Sequence, residues 1–127
     1  MSLLPKELKY ALSHEWASVE AGNIVRVGIT DFAQDELGDL VYIELPDVGR
    51  KVVANESCAV VESVKTASDI FSPVSGEIVD INTAVADDPE KINEDPYGAW
   101  LFCVKADDLS PLDQLLTPDA YEKMITG

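Results

Sequence analysis

One lysine stands in a setting that invites chemistry. The string Val60-Val61-Glu62-Ser63-Val64-Lys65-Thr66-Ala67-Ser68-Asp69 runs from an apolar stretch into a lysine, then through small residues toward Ile70-Phe71. An apolar run of this length suits a buried strand. The pattern predicts strand, tip and strand, with Lys65 at or near the tip of a hairpin. A primary amine held there is exposed, is nucleophilic once deprotonated, and is open to acylation by an enzyme that reads the hairpin's shape. Acylation removes the ammonium charge and leaves a long neutral arm. The context that travels with the lysine is Glu62, Ser63, Val64 and Thr66, with Gly76 eleven positions further on, after Ser72-Pro73-Val74-Ser75. A glycine at that place lets the backbone bend or approach a neighbour closely.

Other reactive residue types are sparse. The single histidine, His14, has no evident partners for a metal site or a catalytic triad, and an exposed or capping role explains it. The two cysteines, Cys58 and Cys103, lie inside apolar runs with no redox or metal-ligand spacing, and read as small buried hydrophobes. No metal is expected, no catalytic residue is visible, and the composition weighs against an enzyme. The formal net charge is −15, from 9 Lys and Arg against 24 Asp and Glu. Such a surface repels nucleic-acid phosphates and anionic lipid, and suits steered, transient docking on basic patches of other proteins. No apolar run approaches the roughly eighteen residues of a membrane helix, and Met1 to Lys9 shows neither a signal nor a transit pattern.

The elements that would hold the lysine are short strands between turns. Trp16–Glu20 and Ile24–Ile29 flank Ala21-Gly22-Asn23, a hairpin signature. Asp39–Leu45 alternates, with Val41, Ile43 and Leu45 expected on one face. Lys51–Val53, Ser57–Val61, Ile70-Phe71, Glu77–Ile81 and Trp100–Lys105 supply further strands. Thr30–Leu37 is a helix candidate, with Thr30 as cap and Gly38 just past its end. Ser110–Leu116 and Thr117–Ile125 repeat a cap followed by proline, and predict C-terminal helices. Val85–Tyr97 reads as a long functional surface loop. Trp16 and Trp100 are expected to fill core. The 127 residues make one domain, 1–127, of mostly β class: a small barrel or sandwich.

The motifs resemble one family jointly. Glu62-Ser63-Val64-Lys65, then Ser68-Asp69 and Ser72-Pro73-Val74-Ser75-Gly76-Glu77, resemble the lipoylation hairpin of glycine cleavage H proteins. The likeness extends to Ser13-His14-Glu15-Trp16, to Val27-Gly28-Ile29-Thr30-Asp31-Phe32-Ala33-Gln34, to Leu37-Gly38-Asp39-Leu40-Val41, and to Glu44-Leu45-Pro46. It continues through Asn93-Glu94-Asp95-Pro96-Tyr97-Gly98 and Trp100, so that it spans about Leu8 to Ile125. Asn55 and Ala59 stand where the family often has glycine, and Phe32 where some members have histidine.

The resemblance implies a barrel-sandwich hybrid of two sheets, with one short helix after the first hairpin and helices at the C-terminus. It implies (R)-lipoate amide-linked to Lys65. The arm would carry the aminomethyl group of glycine from a PLP-dependent glycine decarboxylase to an aminomethyltransferase, and then electrons to dihydrolipoyl dehydrogenase. A lipoate ligase or lipoyl transferase would attach it. By position, Ser13, Glu15 and Asp69 would meet the loaded arm in a cleft on the carrier, and Glu62 would serve recognition by the lipoylating enzyme or docking. A monomer in the bacterial cytoplasm is expected, with a processed organellar form left open. A role mainly as lipoyl-relay donor to other lipoyl domains stays open beside the first. A lipoyl domain of a 2-oxoacid dehydrogenase complex would show an Asp-Lys-Ala string and flexible linkers. A biotin carrier would show methionines on both sides of its lysine. Neither pattern is present.

Overall fold

The first hairpin sets the frame. In the computed structural model, which describes residues 8–126, β1 (Lys9–Tyr10) pairs with β2 (Glu15–Glu20), and β2 with β3 (Ile24–Ile29). The connecting Ala21–Asn23 turn puts Gly22 and Asn23 at positive φ, as their residue types allow. Residues 1–7, and with them most of the segment read for a targeting signal, lie outside the described residues.

Six strands form one antiparallel sheet in the order β1-β2-β3-β9-β8-β5, with β5 at Lys51–Val52, β8 at Gly76–Ile81 and β9 at Phe102–Ala106. Three more, β4 (Leu40–Glu44), β6 (Ser57–Ser63) and β7 (Ala67–Phe71), form a second antiparallel sheet in the order β4-β6-β7. Val25, Val27 and Ile29 join Val61, Ile70, Ile78, Phe102 and Val104 in the principal core. A smaller cluster of Leu8, Tyr10, Trp16 and Tyr121 forms separately. Trp16 lies directly over Gly28, where a Cβ would sit 2.6 Å from the indole. Trp100 is half-buried at that cluster's margin, not within the core, with Arg26 stacked 5.2 Å above its ring. Both cysteines are buried and free.

The helices follow their caps. In α1 (Asp31–Leu37) the Thr30 hydroxyl accepts from the Ala33 N–H at 3.1 Å, and Gly38 closes the end at φ 81. Thr117 caps α4 (Pro118–Thr126) in the same manner, whereas Ser110–Gln114 is only a 3-10 turn. Two further expectations need correcting. Val85–Tyr97 is not an unstructured loop: α2 (Thr83–Asp87) and α3 (Glu90–Glu94) bury Val85 and Ile92 in the principal core. In β4, Val41 does not share a face with Ile43. The register with β6 shifts between Leu40 and Tyr42, so Leu40 and Ile43 turn inward and Val41 is 56% exposed. An extra residue in one strand reverses the alternation beyond it.

Candidate functional site

The hairpin of β6 and β7 runs in register to Glu62 opposite Ala67. Ser63 then shapes its tip. The Ser63 N–H donates to the Thr66 carbonyl at 2.7 Å, and the Ser63 hydroxyl accepts from the N–H groups of Lys65 and Thr66, each at 3.1 Å. A serine that satisfies successive backbone donors fixes a tight turn. Val64 donates its N–H to the Asp39 carbonyl at 3.2 Å, which ties the tip to the start of β4. Lys65 is exposed at that pinned tip, and its Nζ donates to the Glu36 carbonyl in the last turn of α1 at 3.0 Å. A cation at a helix C-terminus meets the negative end of the helix dipole. Gly38 leaves room for it: a Cβ there would come 3.3 Å from the lysine Cε.

The remaining motif residues divide by role. Glu62 is half-buried in the ladder, and Val64 and Thr66 are exposed at the tip. Gly76 begins β8 and lies outside the β6–β7 hairpin. It is buried against β9, where a Cβ would stand 2.1 Å from the Lys105 carbonyl oxygen, so no other residue fits.

A cleft of about 450 Å³ lies beside α1, on the same helix that receives Lys65. Ile29, Phe32, Leu37 and Ile70 give it apolar walls, and Ser13, His14, Glu36 and Ser68 are its polar groups. Glu15 stands behind Ser13, 2% exposed. Its carboxylate accepts from the Ser13 hydroxyl and from the Phe71 N–H, the latter at 3.1 Å. Burial pushes the Glu15 carboxyl above the usual carboxylate range, and these two bonds counter only part of that. Asp69 does not line this cleft. Ser68 and Ile70 line the cleft, and strand alternation sends the exposed Asp69 to the other face of β7.

His14 departs from expectation as well. It is neither freely exposed nor a cap. Its ring lies in the cleft wall against Phe32, with Nδ1 2.7 Å from the Tyr121 hydroxyl. Burial lowers its pKa, partly countered by the Glu36 carboxylate. Its partner on α4 lies 107 residues away, and no local pattern signals such a pairing. Among the described residues, no group of three or more His, Cys, Asp or Glu is placed to hold a metal ion, and no helix is long and apolar enough to cross a membrane.

Known proteins resemble this chain over nearly its whole length. The family model described as glycine cleavage H-protein matches residues 8–127. The glycine cleavage system H protein of Methylococcus capsulatus is 61% identical over 121 residues, 95% of each chain. That of Alcanivorax borkumensis is 60% identical over 126 residues, 98% of each chain. The crystal structure of a glycine cleavage system H protein from Mycobacterium marinum superposes with a TM-score of 0.89 at 43% identity, covering 97% of this chain and 99% of that one.

Proposed function

This chain belongs to the glycine cleavage H-protein family and is a lipoyl carrier of the glycine cleavage system; from that premise we propose that (R)-lipoate is carried in amide linkage on Nζ of Lys65. The observation that carries the reading is the presentation of that amine. It projects from a turn pinned by Ser63, with no carboxylate in a salt bridge to it among the described residues, beside a cleft with apolar walls. A four-carbon stem on a rigid tip suits a tether, because the tip fixes its origin while the arm stays free.

The lipoyl group, once attached, supplies the sulfur that takes up the aminomethyl group and the electrons. The chain's own residues present, shelter and dock. Ile29, Phe32 and Ile70 exclude water from the cleft. Ser13, oriented by buried Glu15, supplies a polar contact there. Glu62 and the exposed Val64 give the lipoate ligase or lipoyl transferase a shape to read. The acidic surface serves docking in turn on the glycine decarboxylase, the aminomethyltransferase and dihydrolipoyl dehydrogenase, in the bacterial cytoplasm. The chemical steps fall to those enzymes, and the chain acts as carrier only.

Intact-protein mass spectrometry after co-expression with a lipoate ligase tests the attachment. One lipoyl addition is expected, and none in Lys65→Ala. Retention of the added mass in that variant would remove Lys65 from the reading.

A further inference from the structure

The cleft wall contains one residue held in a way that carrying a tether does not require. His14 has φ 75, a left-handed backbone that L side chains rarely adopt. It is fixed there from both sides: its N–H donates to the Ala11 carbonyl at 2.9 Å, and its carbonyl accepts from the Thr30 N–H at 3.0 Å. The ring is fixed too, through Tyr121, whose hydroxyl lies 2.7 Å from His14 Nδ1 and 2.8 Å from the Thr30 hydroxyl.

Counting hydrogens gives this chain a direction. Thr30 and Tyr121 are wholly buried. The Thr30 oxygen already accepts from the Ala33 N–H, and the one acceptor its own hydrogen has among the described residues is the Tyr121 oxygen. Thr30 therefore donates to Tyr121, and Tyr121 donates to His14 Nδ1. The reverse order would strand the Thr30 hydrogen in a site closed to water. Burial pushes the Tyr121 phenol up to about 12, so it keeps its hydrogen, and burial keeps the His14 ring neutral at neutral pH. With Nδ1 bare, the ring hydrogen sits on Nε2, which has no partner among the described residues.

We propose that His14 is a positioning residue for the lipoyl arm: locked as the Nε2–H tautomer by Thr30 and Tyr121, it offers the cleft one fixed donor on which the amide carbonyl oxygen of the arm docks. This rests on the lipoyl-carrier reading above. A lone donor attracts a carbonyl and turns away an ammonium, so the amine end of a loaded arm is directed to Ser13 and Glu36. Tyr121 acts through His14, which makes α4 part of the cleft without touching it.

Two variants separate this role from a structural one. An asparagine amide overlays imidazole Nδ1, so His14→Asn keeps a partner for Tyr121 and loses the donor to the cleft. A glutamine amide overlays Nε2, so His14→Gln does the reverse. On lipoylated protein loaded by the decarboxylase with glycine, loss of ammonia to water should be about three- to tenfold faster in His14→Asn than in the wild type, the range expected for one neutral hydrogen bond. His14→Gln should stay within about twofold of the wild type, well inside that span. Long-range 1H–15N spectra of the ring in unloaded protein should show a bare Nδ1 and a protonated Nε2, turning into a mixture of tautomers in Tyr121→Phe. A wild-type ring protonated at Nδ1, or His14→Gln as leaky as His14→Asn, overturns the proposal. Wild-type protein that loses ammonia as fast as free aminomethyl-dihydrolipoamide would instead sink the sheltering cleft itself, and the proposal with it.

Discussion

Replacing Glu15 by alanine should cost the fold about 2 kcal/mol, whereas replacing it by glutamine should leave it at least as stable at neutral pH. The difference follows from what the carboxylate does. One oxygen accepts from Ser13 and the other from the Phe71 N–H, so Glu15 of the six-stranded sheet holds the end of β7 in the three-stranded sheet. Alanine leaves that backbone N–H without an acceptor, at about 1–3 kcal/mol. The lost side-chain volume adds about 1 kcal/mol, and removal of a desolvated charge offsets part of the sum. Glutamine keeps both bonds. Its carbonyl accepts from Phe71, and its amide donates to Ser13, whose hydroxyl rotates from donor to acceptor.

The pH dependence carries the sign. Burial raises the Glu15 pKa above its ordinary 4.5, so the fold favours the neutral acid. That contribution is present below pH 4.5 and is lost as pH rises through the raised folded value. The stability of Glu15→Gln relative to the wild type should therefore grow with pH across that window and then level off. Urea unfolding from pH 4 to 8 measures it. For a chain of this size each kcal/mol moves the melting point by about 3–6 °C, so the alanine variant should melt roughly 6–12 °C lower. Glutamine as damaging as alanine, and losing further ground to the wild type as pH rises, would refute the reasoning, because the ionised carboxylate would then be the stabilising form.

Gly38→Ala should lower stability by about 1–3 kcal/mol, since φ 81 with ψ −156 is a region open in practice only to glycine. Lipoylation should continue in that variant, because only the flexible end of Lys65 must yield; urea unfolding and intact mass together check both halves. Raising ionic strength from about 0.01 M to 0.15 M shortens the screening length from roughly 30 to 8 Å. If the −15 charge steers docking, association with the decarboxylase and the dehydrogenase should slow by about tenfold or more. Stopped-flow rates that ignore salt would assign the acidity to solubility alone.

Legibility in the sequence follows the range of the interactions. The β2–β3 hairpin, the Thr30 cap and the lysine tip are local patterns of alternation, capping and turn chemistry, and each stands where its residues predict. The bulge that turns Val41 outward is invisible to a rule of strict alternation. The helices at 83–94 hide behind Asp, Asn and Pro, which read as loop, although Val85 and Ile92 are the two anchors that bind the segment to the core. Asp69 and Ser68 are adjacent in sequence, so strand parity alone decides which faces the cleft. His14 and Tyr121 meet only because α4 packs over the first hairpin, and nothing in either neighbourhood foretells it.

Helix α1 links these observations into one device. Its N-terminal cap, Thr30, starts the relay that orients His14, and its last turn offers the Glu36 carbonyl to Lys65. The hold on the lysine is weak by design of its setting: an exposed ammonium at a helix C-terminus gains about 0.3–1 kcal/mol from the dipole. That is little enough for a modifying enzyme to lift the side chain from its rest. Acylation then deletes the charge on which even this attraction depends, so a modified arm leaves α1 with less to return to than the bare lysine had. Meanwhile the turn that bears it stays pinned by Ser63 and Asp39, neither of which touches Nζ. Attachment therefore loosens the side chain and spares its base, which is the separation a tether needs: a fixed origin for docking, and a free end that reaches either the cleft or a partner's active site.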